Sequence, residues 1–303
     1  MFDKILVPLD GSELAERVVG QLGPILARRD TEVMAVRVLD AFDFDQALLR
    51  GEDAFAIAGK QLEMALEPLR RAGVGTRYEV FVGDAATRIL EAADDYRPSL
   101  IAMATHGRTG ADRWLRGSVA ERVLRRSPFP VLLANPRANL GAVRRILVPL
   151  DGSEMSAAAL PVAHQMARLY RAEVVLLHVI EPRPSLYPTE TLTETPEEVL
   201  ALLEPFRARL PGVDVRTLAT KGSPSFAILD AAKDGVDLVA MTTHGRTGAS
   251  RWVFGSVAEH VLHHLETPLL VVRTTGLSEG GPISSAASRA TASSSGSKTD
   301  GRG

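Results

Sequence analysis

Two glycine-rich loops of almost identical sequence are the clearest candidates for chemistry in this chain. The first reads Thr-His-Gly-Arg-Thr-Gly over residues 105–110, and the second reads the same over 243–248. In each copy nine residues separate the His-Gly step from a Gly-Ser pair, which begins at Gly117 in the first copy and at Gly255 in the second. Protein interiors accept many combinations of apolar side chains of similar total volume, so a segment that only filled space in the core could vary in sequence. Two matching polar loops instead indicate a constrained backbone shape.

The chemistry that such a loop favours is the binding of an anion such as a phosphate. Glycine tolerates positive φ and lets a ligand approach the main-chain amides closely. The Gly-Ser pair opens a predicted helix, and the free N–H groups and positive dipole end of a helix N-terminus attract phosphate. The serine hydroxyl could bond the anion or only cap the helix, and a cap alone stabilises by about 1 kcal/mol. The predicted anion-binding residues are Gly107, Gly110, Gly117, Ser118 and Val119 in the first copy and Gly245, Gly248, Gly255 and Ser256 in the second.

The arginine and histidine of each loop have two interpretations. Arg108 and Arg246 could pair with phosphate oxygens or remain solvated. His106 and His244 could donate to a phosphate, or to the backbone of their own loop. No second histidine or carboxylate stands at metal-ligand spacing from either histidine, so the sequence disfavours a metal site built on them.

Two aspartates form the third candidate group. Asp10 and Asp151 each follow the strand-like run Ile-Leu-Val-Pro-Leu and precede Gly-Ser. A carboxylate at such a position could meet ribose hydroxyls or a Mg²⁺ ion carried by phosphate. Alternatively, it could cap the following helix together with Gly11 and Ser12.

The composition excludes several other kinds of site. The net charge of −2 and the aromatic fraction of 5% provide neither the basic surface nor the stacking platforms of a nucleic-acid-binding protein. Cysteine is absent, which removes disulfides, thiolate metal sites and cysteine nucleophiles. The chain enters a strand pattern at its start, and no apolar run approaches the roughly 20 residues needed to span a bilayer. We therefore expect a cytoplasmic protein.

The loops belong to a tandem duplication. The run Ile-Leu-Val-Pro-Leu-Asp-Gly-Ser occurs at 5–12 and again at 146–153, and the corresponding landmarks keep their order through both halves. Each unit is long enough to form its own core. We expect one domain over 1–137, a second over 143–274, and a disordered tail rich in Ser, Gly and Ala over 275–303, because that composition cannot offset its ordering entropy.

Hydrophobic periodicity alternates between strand and helix in both units. Short buried strands separated by helices are typical of right-handed crossovers, and they predict an α/β fold with two doubly wound, five-stranded parallel sheets of the Rossmann-like type. In such a sheet, ligands lie beyond the carboxyl ends of the strands where the strand order reverses, which is where Asp10, Gly83-Asp84 and the glycine-rich loop should meet. The predicted strands are 5–9, 32–39, 76–82, 100–104, 131–134, 146–150, 173–180, 213–220, 238–242 and 269–273. The predicted helices of the first unit are 14–27 with Ser12 as N-cap, 57–71, 85–93 and 118–126.

These motifs together resemble the universal stress protein family. The resemblance lies in the opening Ile-Leu-Val-Pro-Leu-Asp-Gly-Ser, the Thr-His-Gly-Arg-Thr-Gly loop and the Gly-Ser-Val-Ala-Glu helix, and it covers both units over about 1–273. It implies a five-stranded unit in the order 3-2-1-4-5 and a tandem arrangement that the family also shows. It further implies ATP, alone or with Mg²⁺, as the ligand, with the adenine against the backbone near Val38 and Val179 by position.

The sequence departs from the family's ATP-binding pattern at one position. That pattern is Gly, two residues, Gly, nine residues, then Gly and Ser or Thr, and its first glycine is replaced by Ala104 in one unit and Thr242 in the other. If this position needs positive φ, alanine costs on the order of 1 kcal/mol and threonine more. If it lies at the end of strand four and faces the ribose, alanine hardly crowds the ribose, whereas the larger threonine crowds it more. Either way the first unit is the better predicted ATP site.

Three functions are compatible with these residues. The first is an ATP-binding stress protein that senses or regulates with little or no turnover, since no Gly-Lys-Ser/Thr loop is present. The second is a slow ATP hydrolase, with Asp10 holding Mg²⁺ and His106 at the phosphates. The third is a scaffold that binds no nucleotide. A dinucleotide oxidoreductase is disfavoured because the first strand is not followed by Gly-x-Gly-x-x-Gly.

The last strand of each unit predicts how the units associate. Strands 131–134 and 269–273 would be apolar exposed edges in isolated units, and exposed edges invite pairing. We therefore expect the two units to pair within the chain through these strands as a pseudo-twofold dimer, and a further homodimer is also plausible.

Overall fold

Alternating strands and helices make up the part of the chain that the computed structural model describes, which is residues 2–22, 31–104, 119–134, 143–181, 195–243 and 255–273. The first unit contains β1 (Lys4–Pro8), α1 (Glu13–Gln21), β2 (Glu32–Leu39), α2 (Ala41–Leu49), α3 (Ala54–Arg71), β3 (Gly75–Val82), α4 (Ala85–Tyr96), β4 (Leu100–Ala104), α5 (Val119–Arg126) and β5 (Val131–Ala134). The second contains β6 (Arg145–Pro149), α6 (Glu154–Ala157), α7 (Leu160–Tyr170), β7 (Glu173–Ile180), α8 (Pro196–Arg207), β8 (Val215–Lys221), α9 (Pro224–Lys233), β9 (Leu238–Thr242), α10 (Ser256–His264) and β10 (Leu269–Val272).

The strands form one ten-stranded sheet in the order β3-β2-β1-β4-β5-β10-β9-β6-β7-β8. Within each half the order is 3-2-1-4-5 and every neighbouring pair is parallel. The predicted fold class and strand order are thereby confirmed. The strand order reverses between β1 and β4, and again between β6 and β9.

Both faces of the sheet are covered by helices, as the continuous apolar runs of the strands predicted. Side chains alternate between the faces along β1, so Ile5 and Val7 join one core and Leu6 joins the other. The first core also contains the apolar faces of α1, α3, α7 and α8, and the second contains those of α4, α5, α9 and α10. Each core includes residues of both units, because the sheet is continuous.

The two halves of the sheet meet at β5 and β10, which are antiparallel and in register at Leu132↔Leu270. Helices α5 and α10 flank this junction on one face. There the Arg125 guanidinium lies 2.8 Å from a carboxylate oxygen of Glu121 on its own helix and 3.4 Å from Glu259 on α10. The Glu121 side chain is only 5% exposed, so this shared cation compensates a buried charge.

The helices of the first unit differ from the prediction in the bounds of two helices and in one added helix. Helix α1 starts after Ser12, whose hydroxyl accepts from the Ala15 N–H at 3.2 Å as predicted, and residues 23–27 of the predicted helix lie outside the described residues. Helix α3 begins at Ala54 rather than at residue 57, and α4 ends at Tyr96 rather than at residue 93. The segment between β2 and α3, where no helix was predicted, contains the additional helix α2, which Asp40 caps by accepting from the Asp43 N–H.

Several predictions lie outside the described residues. Among them are the join between the units at 135–142 and the tail at 275–303. None of the helices in the described ranges is long and apolar enough to cross a bilayer.

Asp84, predicted at the ligand-binding edge, lies at the N-terminus of α4 and provides a stability test. Its carboxylate pairs with Arg122 and accepts from the hydroxyl and N–H of Thr87. The Arg122 guanidinium, and then Thr87, hold the pKa of the Asp84 carboxyl well below its ordinary value. The equivalent N-cap of α9, Ser223, makes no side-chain cap bond.

We expect Asp84→Ala to lower the free energy of unfolding by about 1 kcal/mol at neutral pH, the usual value of an N-cap. Ser223→Ala, the matched control, should change it little. Because the folded-state pKa is lowered, the stabilisation is present above the ordinary carboxyl pKa of about 4 and is lost as the pH falls below it. Urea denaturation of the full chain at several pH values measures both effects, and equal losses for the two variants would contradict the assignment.

Candidate functional site

A cavity of about 340 Å³ lies at the carboxyl ends of β6, β7 and β9 in the second unit. This is the reversal point of the strand order, where ligands bind in open α/β sheets. Its volume is within the range of small-molecule sites. Its walls are Pro149, Leu150, Asp151, Ser156, Leu177, His178, Val179, Glu181, Pro224, Ile228, Met241, Thr242, Thr243, Gly255, Ser256, Val257 and Ala258.

The opening between the central strands has a local cause in the proline at the end of β6. Strands β6 and β9 are in register at Ile146↔Leu238 and Leu147↔Val239, and the pairing goes no further. Leu150 donates its N–H to the Leu177 carbonyl of β7 at 2.8 Å, so the preceding residue, Pro149, has its backbone nitrogen towards β9. Proline has no N–H to donate, and the next rung to β9 cannot form.

Asp151 lies in the turn that follows β6 and lines the cavity. Its Oδ1 accepts from the Ser153 N–H at 3.0 Å and from the Ser153 hydroxyl at 2.6 Å. Ser153 in turn caps α6 by accepting from the Ser156 N–H. The turn therefore fixes the orientation of the Asp151 carboxylate at the cavity wall.

The N-terminus of α10 forms the opposite wall. Gly255 is its N-cap, with extended backbone, and the Gly255 N–H donates to the Thr243 carbonyl at 3.0 Å. Gly255 has no side chain, and no side-chain bond caps the helix. The first-turn amides, from Ser256 to Ala258, border the cavity and form an environment that favours an anion. Because Gly255 is the N-cap, the Ser256 hydroxyl does not cap the helix, and capping does not explain the serine at this position.

Strand β7 forms the third wall. Val179 lies at its end and His178 is buried, with 3% of its surface exposed. The His178 Nδ1 lies 2.8 Å from the Leu150 carbonyl oxygen, so this nitrogen is the donor of that hydrogen bond. Apolar side chains of Leu177, Ile228 and Met241 line the rest of the interior.

This architecture belongs to a known family. A family model described as "Universal stress protein family" matches residues 1–135 and again residues 142–273. The chain belongs to the universal stress protein family.

Two relatives each correspond to about one unit. A universal stress protein of Methanocaldococcus jannaschii is 33% identical over 140 residues, which are 43% of this chain and 82% of that protein. Universal stress protein YxiE of Bacillus subtilis is 33% identical over 147 residues, which are 43% of this chain and 98% of that protein. Among solved structures, a universal stress protein from Archaeoglobus fulgidus has a TM-score of 0.66 at 22% identity, over 90% of this chain and 99% of that chain, and this likeness bears on the fold.

Predicted residues of the second universal stress protein unit come together around the cavity. Asp151, Val179, Gly255 and Ser256 all line it. Thr242 also lines it, as the buried last residue of β9. The loop residues Gly245, Arg246 and Gly248, with His244, lie outside the described residues.

The first unit repeats the parts of this arrangement that the structure describes. Asp10 Oδ1 accepts from the Ser12 N–H at 3.0 Å and from its hydroxyl at 2.6 Å, as Asp151 does from Ser153. Val38 is near the end of β2, Ala104 is the last residue of β4, and Val119 is the first of α5. His106, Gly107, Arg108, Gly110, Gly117 and Ser118 lie outside the described residues.

The structure decides between the two explanations offered for Ala104 and Thr242. Among the described non-glycine residues, those with positive φ are Arg97 and Arg171. Both Ala104 and Thr242 are ordinary strand residues, so neither carries backbone strain. The difference between the two units at this position therefore lies in the side chain that borders the site.

Sequence reasoning missed three side chains at these sites. His178 and Glu181 line the second cavity, and Arg37 occupies the position in β2 that His178 occupies in β7. A comparison of the two repeats could have identified this position, because it shows arginine in one unit and histidine in the other within otherwise apolar, similar strands. Arg37 is buried, with 5% of its surface exposed, and lies against Gly11 in the turn after β1.

Gly11 has φ +75°, and a Cβ added there would overlap Nη1 of Arg37. We expect Gly11→Ala to destabilise the chain by more than the roughly 1–2 kcal/mol that a left-handed alanine costs, because the guanidinium must also move. Gly51→Ala is the matched control, since Gly51 has φ +70° and nothing within 4 Å of its added Cβ. Urea denaturation compares the two, and an equal loss in both variants would show that the Arg37 contact contributes nothing.

Proposed function

We propose that this universal stress protein binds adenine nucleotides, ATP in particular, at the carboxyl edge of its sheet, and that it senses or regulates in a stress response with little or no turnover. The observation that carries this proposal is the cavity between the Asp151 turn and the uncapped N-terminus of α10. A carboxylate on one side and free amides on the other are suited to ribose and phosphate respectively.

The described residues suit each part of the nucleotide. Apolar walls and the backbone beside Val179 suit an adenine ring, which needs a flat apolar slot and backbone hydrogen bonds. Asp151 can accept hydrogen bonds from ribose hydroxyls. Phosphate groups fit the first turn of α10, where N–H groups and the helix dipole favour negative charge.

The same geometry favours binding over catalysis. Asp151, Glu181 and His178 are the ionisable side chains among the described cavity residues. The Asp151 Oδ1 already accepts two bonds from Ser153, and the His178 Nδ1 bonds a carbonyl. A general base must reach the proton of an attacking water with a free acceptor atom, and these bonds occupy Oδ1 of Asp151 and Nδ1 of His178.

We further propose that the β5–β10 junction persists in solution as the contact that pairs the two units. The junction joins apolar strands, places the shared Arg125 cation between two carboxylates, and covers edges that would otherwise be exposed. The absence of cysteine is compatible with the reducing cytosol, which is where we expect the protein to act.

Calorimetric titration of the nucleotide-stripped chain with ATP and Mg²⁺ tests the binding proposal. We expect saturable binding, with ADP, AMP and cAMP measured alongside because the described walls do not fix the length of the phosphate chain. No binding of any of these would favour a scaffold that binds no nucleotide.

Gly255→Val tests the location of the second site. Valine accepts the extended backbone of Gly255, and its branched side chain would cover the first-turn amides of α10. We expect this variant to lose the second-unit site with an unchanged melting temperature. Gly75→Val, at the start of β3, is the matched control, because its added Cβ meets only ordinary contacts from 3.8 Å. Undiminished binding stoichiometry in Gly255→Val would refute the location.

A phosphate-release assay on the same samples separates a sensor from a hydrolase. We expect no release above the spontaneous rate while ATP remains bound. Sustained turnover that Gly255→Val removes would identify a slow hydrolase at this site.

A further inference from the structure

The second-unit cavity carries negative charge on its described walls. Its charged lining residues are Asp151 and Glu181, and no lysine or arginine is among the described residues that line it. His178 stands beside them, with its Nδ1 bonded to the Leu150 carbonyl. A nucleoside triphosphate brought to this cavity therefore meets two carboxylates.

The first unit differs from the second at two equivalent positions, and the first of these changes the charge. The register of β1 with β2 matches that of β6 with β7 at an offset of 141 residues, which places Arg37 where the second unit has His178. The Arg37 guanidinium lies against the Asp10-Gly11 turn, since three of its atoms are within 3.0 Å of the position of a Gly11 Cβ. It adds a permanent, buried positive charge beside the aspartate turn.

The second difference is in the first residue after the strand. Glu181 follows β7 and lines the cavity, whereas its counterpart Asp40 follows β2 and caps α2, with Oδ1 2.6 Å from the Asp43 nitrogen. The Asp40 carboxylate is therefore held by the helix that follows it. The segments between the His-Gly step and the Gly-Ser pair differ in sequence but carry the same net charge, because residues 108–116 hold three arginines and one aspartate and residues 246–254 hold two arginines. The difference of charge among the described residues therefore comes from Arg37 in place of His178, and the carboxylate at the second position is held differently.

We propose that Arg37 makes the first unit a nucleotide site whose affinity depends little on a divalent cation, whereas the second unit, with His178 and Glu181 at the equivalent positions, binds a nucleoside triphosphate about tenfold more tightly with Mg²⁺ than without it. This inference rests on the proposed nucleotide binding by both units. Among the described residues no three His, Asp or Glu side chains are grouped to hold a metal ion, so the ion would arrive with the phosphates of the ligand.

The physical reason is the balance of charge around the phosphates. In the first unit the guanidinium offsets the Asp10 carboxylate, and the polyanion meets no net repulsion from this turn. In the second unit the carboxylates repel the phosphates unless Mg²⁺ screens them. One unit charge at roughly 10 Å, under an effective dielectric constant of about 20, changes an affinity on the order of tenfold.

The experiment compares the dissociation constant of ATP in EDTA with that in Mg²⁺, at pH 8, for chains with one site each. Gly255→Val leaves the first unit, and Gly117→Val, at the matching position of the first sequence repeat, leaves the second. We expect the ratio of the two constants to be below about threefold in the first unit and about tenfold or more in the second. Equal ratios in the two chains would overturn the inference, whereas absence of ATP binding by the parent chain in Mg²⁺ would overturn the proposed function itself.

Exchange of the two residues assigns the effect. Arg37→His in the Gly255→Val chain should raise the ratio to about tenfold, and His178→Arg in the Gly117→Val chain should lower it to a similar extent. Arg37→Lys retains the charge and should keep the ratio closer to that of arginine than to that of histidine. Thermal melts identify any exchange variant that fails to fold. In that case the ratios of the two single-site chains, together with the exchange variant that does fold, test the inference. If each chain kept the ratio of its parent unit after the exchange, Arg37 would not be the residue that determines the Mg²⁺ dependence.

Discussion

The absence of one backbone hydrogen bond in each half of the sheet is the constraint on which the candidate sites depend. Leu9 and Leu150 donate their N–H groups to β2 and β7, so the preceding Pro8 and Pro149 face the other central strand with no N–H to donate. The pairs β1–β4 and β6–β9 accordingly end after two residues, while the parallel pairs on either side continue. The sheet opens at its carboxyl edge, and in the second unit this is where the cavity lies.

The two units share this backbone arrangement but differ in the charge next to the aspartate turn. Both units retain the Pro-Leu-Asp-Gly-Ser turn, with the aspartate bonded to the serine at the same distances. The positions that border the site differ: Arg37 against His178, and Ala104 against Thr242. Because β5 pairs with β10, the sheet is continuous and each core contains residues of both units.

The fold was predictable because it depends on repeated, local signals. Apolar runs buried on both faces specified the strands, and Ser12 marked a helix start that the structure confirms. Helix α2 was missed because its sequence, Ala-Phe-Asp-Phe-Asp, alternates polar and apolar residues without a helical stripe. The roles of Arg37 and His178 were not predictable from either strand alone, because only tertiary structure brings the end of one strand against the turn that follows its neighbour. Except for Thr243, the residues of the two glycine-rich loops, which were the strongest candidates from the sequence, lie outside the described residues, so their roles stay predictions.

The central claim is that the carboxyl edge of this sheet is a nucleotide site, and a crystal structure of the chain with ATP and Mg²⁺ tests it most directly. The account predicts adenine density against the β7 backbone at Val179, ribose within hydrogen-bonding distance of Asp151, and phosphate at the first turn of α10. Nucleotide density elsewhere on the molecule, or an empty cavity at a saturating ATP concentration, would contradict it.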